Sequence, residues 1–131
     1  MIIDKKLLDD LSAQAKANPR LRQSYDLRTT PDDNSQRMLN ALEPGTIMPI
    51  HRHKNTSETM VMVRGKLKQR FHDDNGNITD EFIMEPCSQY SIVQIETGRW
   101  HSLEVLEEGT VIFEAKDGTY EPITNDDTLT V

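Results

Sequence analysis

The segment Gly45–Gly65, GTIMPIHRHKNTSETMVMVRG, constrains this chain more tightly than any other stretch. It places His51 and His53 one residue apart and Glu58 five residues further on. Side chains on a strand alternate between its two faces, so residues two apart point the same way. If His51 and His53 lie on a strand, both imidazoles project into one space. Glu58 opens the apolar run ETMVMV and reaches the same space if that run folds back as a hairpin. Two surface histidines would give the same local pattern. What adds weight is His101, which with Trp100 closes VQIETGRWH, an apolar run ending in a glycine-marked turn. Three neutral imidazoles and a carboxylate form a mixed nitrogen and oxygen set suited to a divalent transition metal.

These spacings resemble a known pattern. Gly45, five residues, His51-x-His53, four residues, Glu58, six residues and Gly65 match the first cupin motif in every position. The second cupin motif resembles Glu96 to Val105: Gly98 and His101 match, while Glu96 stands in place of a proline and Val105 in place of an asparagine. Beyond the motifs, NPRLRQSYDL, QRMLNALEPGT, VRGKL, DDNGN and GRWHSLEVLEEGTVIFEAKDGTYEP are similar to the small WbuC-type cupin metalloproteins, from about Ile2 to Pro122. The resemblance implies an all-β cupin jelly-roll barrel with a short N-terminal helix. It implies one divalent metal (Fe, Mn, Ni or Zn) on His51, His53, Glu58 and His101. It further implies a link to bacterial surface polysaccharide, hence a sugar or sugar-nucleotide ligand, and a homodimer through edge strands or the helix.

Composition sets the outer limits. At 131 residues the chain suits a single domain with a real core. A helix over about residues 4–17, a barrel over about 23–116 and a loose acidic C-terminal tail are expected. No apolar run approaches the ~20 residues of a membrane helix. The formal net charge of −7 argues against nucleic acid or an anionic membrane as partner. The single cysteine, Cys87, cannot pair within the chain, which fits a reducing cytoplasm.

Along the chain, Asp4 is a natural N-cap for an amphipathic helix carrying Leu7, Leu8, Leu11 and Ala15, stopped by Pro19. Gln36–Leu42 alternates as a strand, with Met38, Asn40 and Leu42 on one face and Arg37, Leu39 and Ala41 on the other. If Glu58 points inward, Met60, Met62 and Arg64 share its face. Asn75-Gly76 is the strongest hairpin signal and joins strands over 66–73 and 78–84. Lys66, Lys68 and Arg70 make one face of the first of these basic, as a solvated edge or as a rim for an anionic ligand. His72 fits no ligand spacing and reads as a surface or hairpin residue. Trp100 should face away from His101 and pack against a neighbouring sheet or subunit. Short strands separated by turn signals describe a barrel or jelly roll.

For the pocket, Arg37, Asn40, Met60, Met62, Arg64 and Tyr90 are the candidate ligand-contacting residues, with Arg64 expected to bind an anionic group. Tyr25, Tyr90 and Tyr120 are candidates for proton transfer, although a structural tyrosine fits each. Glu96 is a proton carrier or a solvent-facing turn residue. Three chemistries fit an open site of this kind. One is Lewis-acid catalysis on a sugar-like or anionic small molecule. The second is oxygen chemistry on Fe²⁺. The third is non-catalytic binding or sensing.

Overall fold

In the computed structural model, which describes residues 1–129, the chain opens on the expected cap. Asp4 is extended and its carboxylate accepts the Leu7 backbone N–H at 3.0 Å, so helix α1 runs Lys5–Ala17. Two charge pairs at i,i+4 spacing, Lys5–Asp9 and Lys6–Asp10, lie on its outer side. Its other side buries Leu11 and Ala15 against Leu39, Ala41 and Val111, with Leu7, Leu8, Leu27, Val63 and Phe113 packed around them. This answers what the amphipathic pattern was for: the helix seals the outer face of a sheet.

That sheet has five strands in the order β1 (Arg22–Asp26), β2 (Gln36–Leu42), β9 (Thr110–Lys116), β4 (Glu58–Arg64) and β7 (Ile92–Ile95). The second has β10 (Thr128–Leu129), β3 (Ile50–His51), β8 (His101–Val105), β5 (Leu67–His72) and β6 (Ile78–Met84). All pairings are antiparallel. Alternation decides what lies between the sheets. Leu42, Met60, Met62 and Ile112 from the first meet Leu67, Met84 and Val105 from the second in one buried cluster. Two packed antiparallel sheets with one short helix give the jelly-roll architecture that the strand pattern leads one to expect.

Three expectations need correction. The metal-bearing segment is not a hairpin, because β3 and β4 belong to different sheets. Arg64 does not share the face of Glu58: the β4–β9 register shifts between Met62 and Arg64. A one-residue irregularity moves a side chain to the other face. Arg64 accordingly turns out to the helix, donating to Leu8 O at 2.9 Å, Ser12 Oγ at 2.8 Å, Asp9 at 2.7 Å and Gly109 O at 2.9 Å. The C-terminal segment is not loose either. Thr128 and Leu129 pair with His51 and Ile50, and Asp127 meets Arg52 at 3.2 Å and Lys54 at 3.5 Å. At Gly65 the chain crosses between sheets with φ +86°, and an added Cβ would lie 2.5 Å from the Thr110 backbone. No other residue fits there.

Candidate metal centre

His51 and His101 are direct partners across β3 and β8, their ring centroids 4.2 Å apart. His53 lies just beyond the end of β3 rather than within it. Its carbonyl accepts the Gly98 N–H at 2.8 Å, which ties the loop of the first motif to the turn of the second. One ring nitrogen from each of His51, His53 and His101 falls within 4.8 Å of the others. His51 Nδ1 lies 2.9 Å from Pro49 O and His101 Nδ1 lies 2.8 Å from Arg99 O. A carbonyl only accepts, so each Nδ1 carries the hydrogen and each Nε2 keeps its lone pair. This is the tautomer a metal ligand needs, held by a backbone partner.

Burial sets the charge state. It lowers the His51 imidazole below its ordinary value, His53 to about 4 and His101 to about 3. The Lys116 charge pushes all three in the same direction. Neutral, clustered, half-satisfied imidazoles fit a divalent cation.

Glu58 approaches from the opposite sheet, with Oε2 3.5 Å from His53 Nε2. Glu114, on β9, lies beside both Glu58 and Asn40. Burial pushes both carboxyls up, and for Glu58 the Glu114 charge adds to the effect while Lys116 opposes it. Sequence reading missed Glu114. Its signal was present in the chain, since Glu114 stands two residues from Ile112 on the inward face of β9.

The remaining candidates divide by strand face. Asn40 lies on the inward face of β2, near Glu114, while Met60 and Met62 are core. Arg37 is on the outward face, held by Asp33 at 3.0 Å and Ser35 O at 2.8 Å. Tyr90 is 41% exposed and packs on Phe82, ring centroids 5.1 Å apart. Tyr25 and Tyr120 are exposed. Glu96 is an exposed turn residue whose carbonyl accepts Arg99 N at 3.2 Å. Lys68 and Arg70 pair with Glu81, and Arg70 also with Glu104, so the basic strand face is a neutralised ladder. His72, against expectation, is buried, bonded to Ser102 Oγ at 2.7 Å and Gly76 O at 3.1 Å.

Comparison with known structures agrees with this architecture. The chain is similar to KdgF from Halomonas sp., with TM-score 0.63 and 13% identity over 79% of this chain and 84% of that one. It is similar to CapF from Staphylococcus aureus, a capsular polysaccharide assembling protein, with TM-score 0.64 and 26% identity. That match covers 80% of this chain but 28% of CapF. The cupin domain of Cnp3 from Schizosaccharomyces pombe gives TM-score 0.59 at 11% identity, over 75% of this chain and 65% of that one. No protein of curated function matches by sequence. Fold and histidine cluster together define a cupin with a candidate metal centre. Residues 3–84 match the sequence model of DUF6016, a domain of unknown function, and the chain belongs to that family. The matched span contains His51, His53 and Glu58 and stops before His101. No helix among the described residues is long and apolar enough to cross a membrane.

Proposed function

We propose that this chain is a WbuC-type cupin metalloprotein that holds one divalent transition metal (Fe, Mn, Ni or Zn) and binds or acts on a sugar or sugar nucleotide in bacterial surface-polysaccharide metabolism. His51, His53 and His101 are three of the ligands and Glu58 the fourth. The observation that carries the reading is the pinned tautomer of His51 and His101, which leaves the Nε2 lone pair of each available beside a third imidazole, with one ring nitrogen of each of the three within 4.8 Å of the others. Burying such groups is costly unless something satisfies them. When bound, the metal would polarise a ligand oxygen. Asn40 and Glu114 line the pocket beside it, the first to orient a hydroxyl, the second to accept or return a proton. The likeness to the capsular polysaccharide assembling protein CapF supports the sugar assignment. A homodimer in the cytoplasm belongs to the same reading, and the exposed Ile78, Ile83 and Ile92 on the edge strands β6 and β7 suit a subunit contact.

The test is elemental analysis of untagged protein, purified without added metal, beside Glu58→Ala. About one equivalent of a single transition metal in the wild type, lost in the variant, supports the four-ligand site. Iron would direct attention to oxygen chemistry, and zinc, manganese or nickel to Lewis-acid chemistry. Wild type that carries no metal and takes up none of the four ions would defeat the proposal in favour of a metal-independent binding module.

A further inference from the structure

We propose that Lys116 is the anion-recognition residue of this pocket, holding a carboxylate or phosphate oxygen of the ligand beside the histidine cluster. The inference deepens the metal-dependent, sugar-type reading above and rests on it. Lys116 ends β9 and is the cross-strand partner of Glu58 on one side and Gln36 on the other. The same register puts Glu114 and Ile112 on its face of the strand. Along the inward-facing positions of β2, β4, β5, β8 and β9, no other residue is a lysine or arginine.

The field of Lys116 reaches His51, His53, His101, Glu58 and Glu114. Yet it has no carboxylate oxygen within 4.0 Å among the described residues, whereas Arg37, Arg52, Arg64, Lys66, Lys68 and Arg70 are each committed to an ion pair. Its Nζ stands 5.9 Å from the ring centroid of Tyr120, which is 60% exposed, and Lys116 itself is half-buried. On the far side of the same row, Gln36 is 2% exposed with an unpartnered Oε1, an acceptor lacking a donor.

A chain of net charge −7 repels anions in general. An anionic ligand therefore needs a local seat, and among the described residues Lys116 is a cation beside the histidine cluster that no carboxylate pairs. Hydroxylated molecules bearing one carboxylate or phosphate match this arrangement, with the anion meeting Lys116. A charge-assisted hydrogen bond of this kind is worth roughly 10- to 100-fold in affinity.

The experiment is calorimetric titration of wild type, Lys116→Met and Lys116→Arg, each purified with its own metal, using D-glucuronate, D-glucose 1-phosphate and D-glucose as probes. Metal content is measured in every sample. The expected result is that at least one anionic sugar binds wild type about 10- to 100-fold more tightly than it binds Lys116→Met. Lys116→Arg should recover part of the difference, D-glucose should not discriminate, and metal content should be equal. Dependence confined to glucuronate assigns a carboxylate, and dependence confined to the phosphate ester assigns a phosphate. If neither anion binds wild type more tightly than Lys116→Met, including the case where neither binds at all, Lys116 is not the anion seat. Metal-loaded protein with that result overturns this inference alone, whereas metal-free wild type overturns the reading beneath it.

Discussion

His51 and His101 stand opposite one another on adjacent antiparallel strands, fifty residues apart in sequence, with ring centroids 4.2 Å apart. Each ring is fixed by the carbonyl two residues before it. The two motifs are thus one structure, closed by β3 and β8.

Replacing either histidine by alanine should lower metal affinity by more than about 100-fold, since loss of an outer partner alone typically costs about 10- to 100-fold. Metal competition against a chelator measures this. Stoichiometric metal of unchanged affinity in both variants would refute the centre.

Metal-free protein should lose stability as pH falls below 6.5. Burial holds His53 and His101 down to about 4 and about 3 in the folded chain, against an ordinary 6.5. Above 6.5 both states are neutral there and the full contribution is present. Below it the unfolded chain takes up protons that the folded chain refuses. Stability then falls by up to about 1.4 kcal/mol per pH unit for each imidazole. The raised Glu58–Glu114 pair has the opposite sign, favouring the folded state's protonated form as pH drops. Below 6.5 three imidazoles outweigh two carboxyls, whereas between pH 7.5 and 6.5 the carboxyls dominate and the sign is reversed. Thermal unfolding at pH 6 and pH 5 checks the direction, and a shallower slope is expected for His101→Asn.

Arg64→Ala should cost about 1–3 kcal/mol of stability while leaving metal content and ligand binding intact. The guanidinium joins α1 to the β8–β9 turn through Leu8 O, Ser12 and Gly109 O. Denaturant unfolding measures the first effect. Weakened anion binding at unchanged stability would contradict its position.

Trp100→Ala should destabilise by about 3–5 kcal/mol, the usual cost of emptying a buried aromatic site. Trp100 is 6% exposed, lies under the Arg52 guanidinium at 4.3 Å and donates Nε1–H to Asp74 at 3.1 Å. Its ring touches no metal ligand through a hydrogen bond, so elemental analysis of the folded variant should give unchanged metal.

Asp127→Ala should reduce metal affinity by about 10-fold, in line with other outer contacts. Asp127 draws in Arg52 and Lys54, the residues flanking His53, and its carbonyl accepts the Arg52 N–H at 3.0 Å. Faster amide exchange along β3 should accompany the loss, and unchanged exchange would show that the strap is incidental.

Much of this was legible in the chain itself. Gln36–Leu42 and Ile78–Met84 fall where alternation and the Asn75-Gly76 turn put them, because both signals are local. The clustering of His51, His53 and His101 follows from motif spacing. Glu96 is the turn residue that its setting beside Gly98 implied. Where reading failed, the missing information was pairing between distant strands. His72 has ordinary hairpin surroundings in sequence, and only the approach of Ser102 on β8 buries it.

The sequence by itself determined the strands, the helix cap, the turns and the ligand-bearing motifs, since each depends on neighbours within a few residues. Tertiary structure alone decided what those motifs face. Glu58 meets His53 from the opposite sheet, Glu114 and Lys116 come to lie beside it on β9, and a register shift after Met62 sends Arg64 to the helix. Side-chain facing changes with each single residue of register, and register between β4 and β9 is set by packing across more than forty residues of intervening chain.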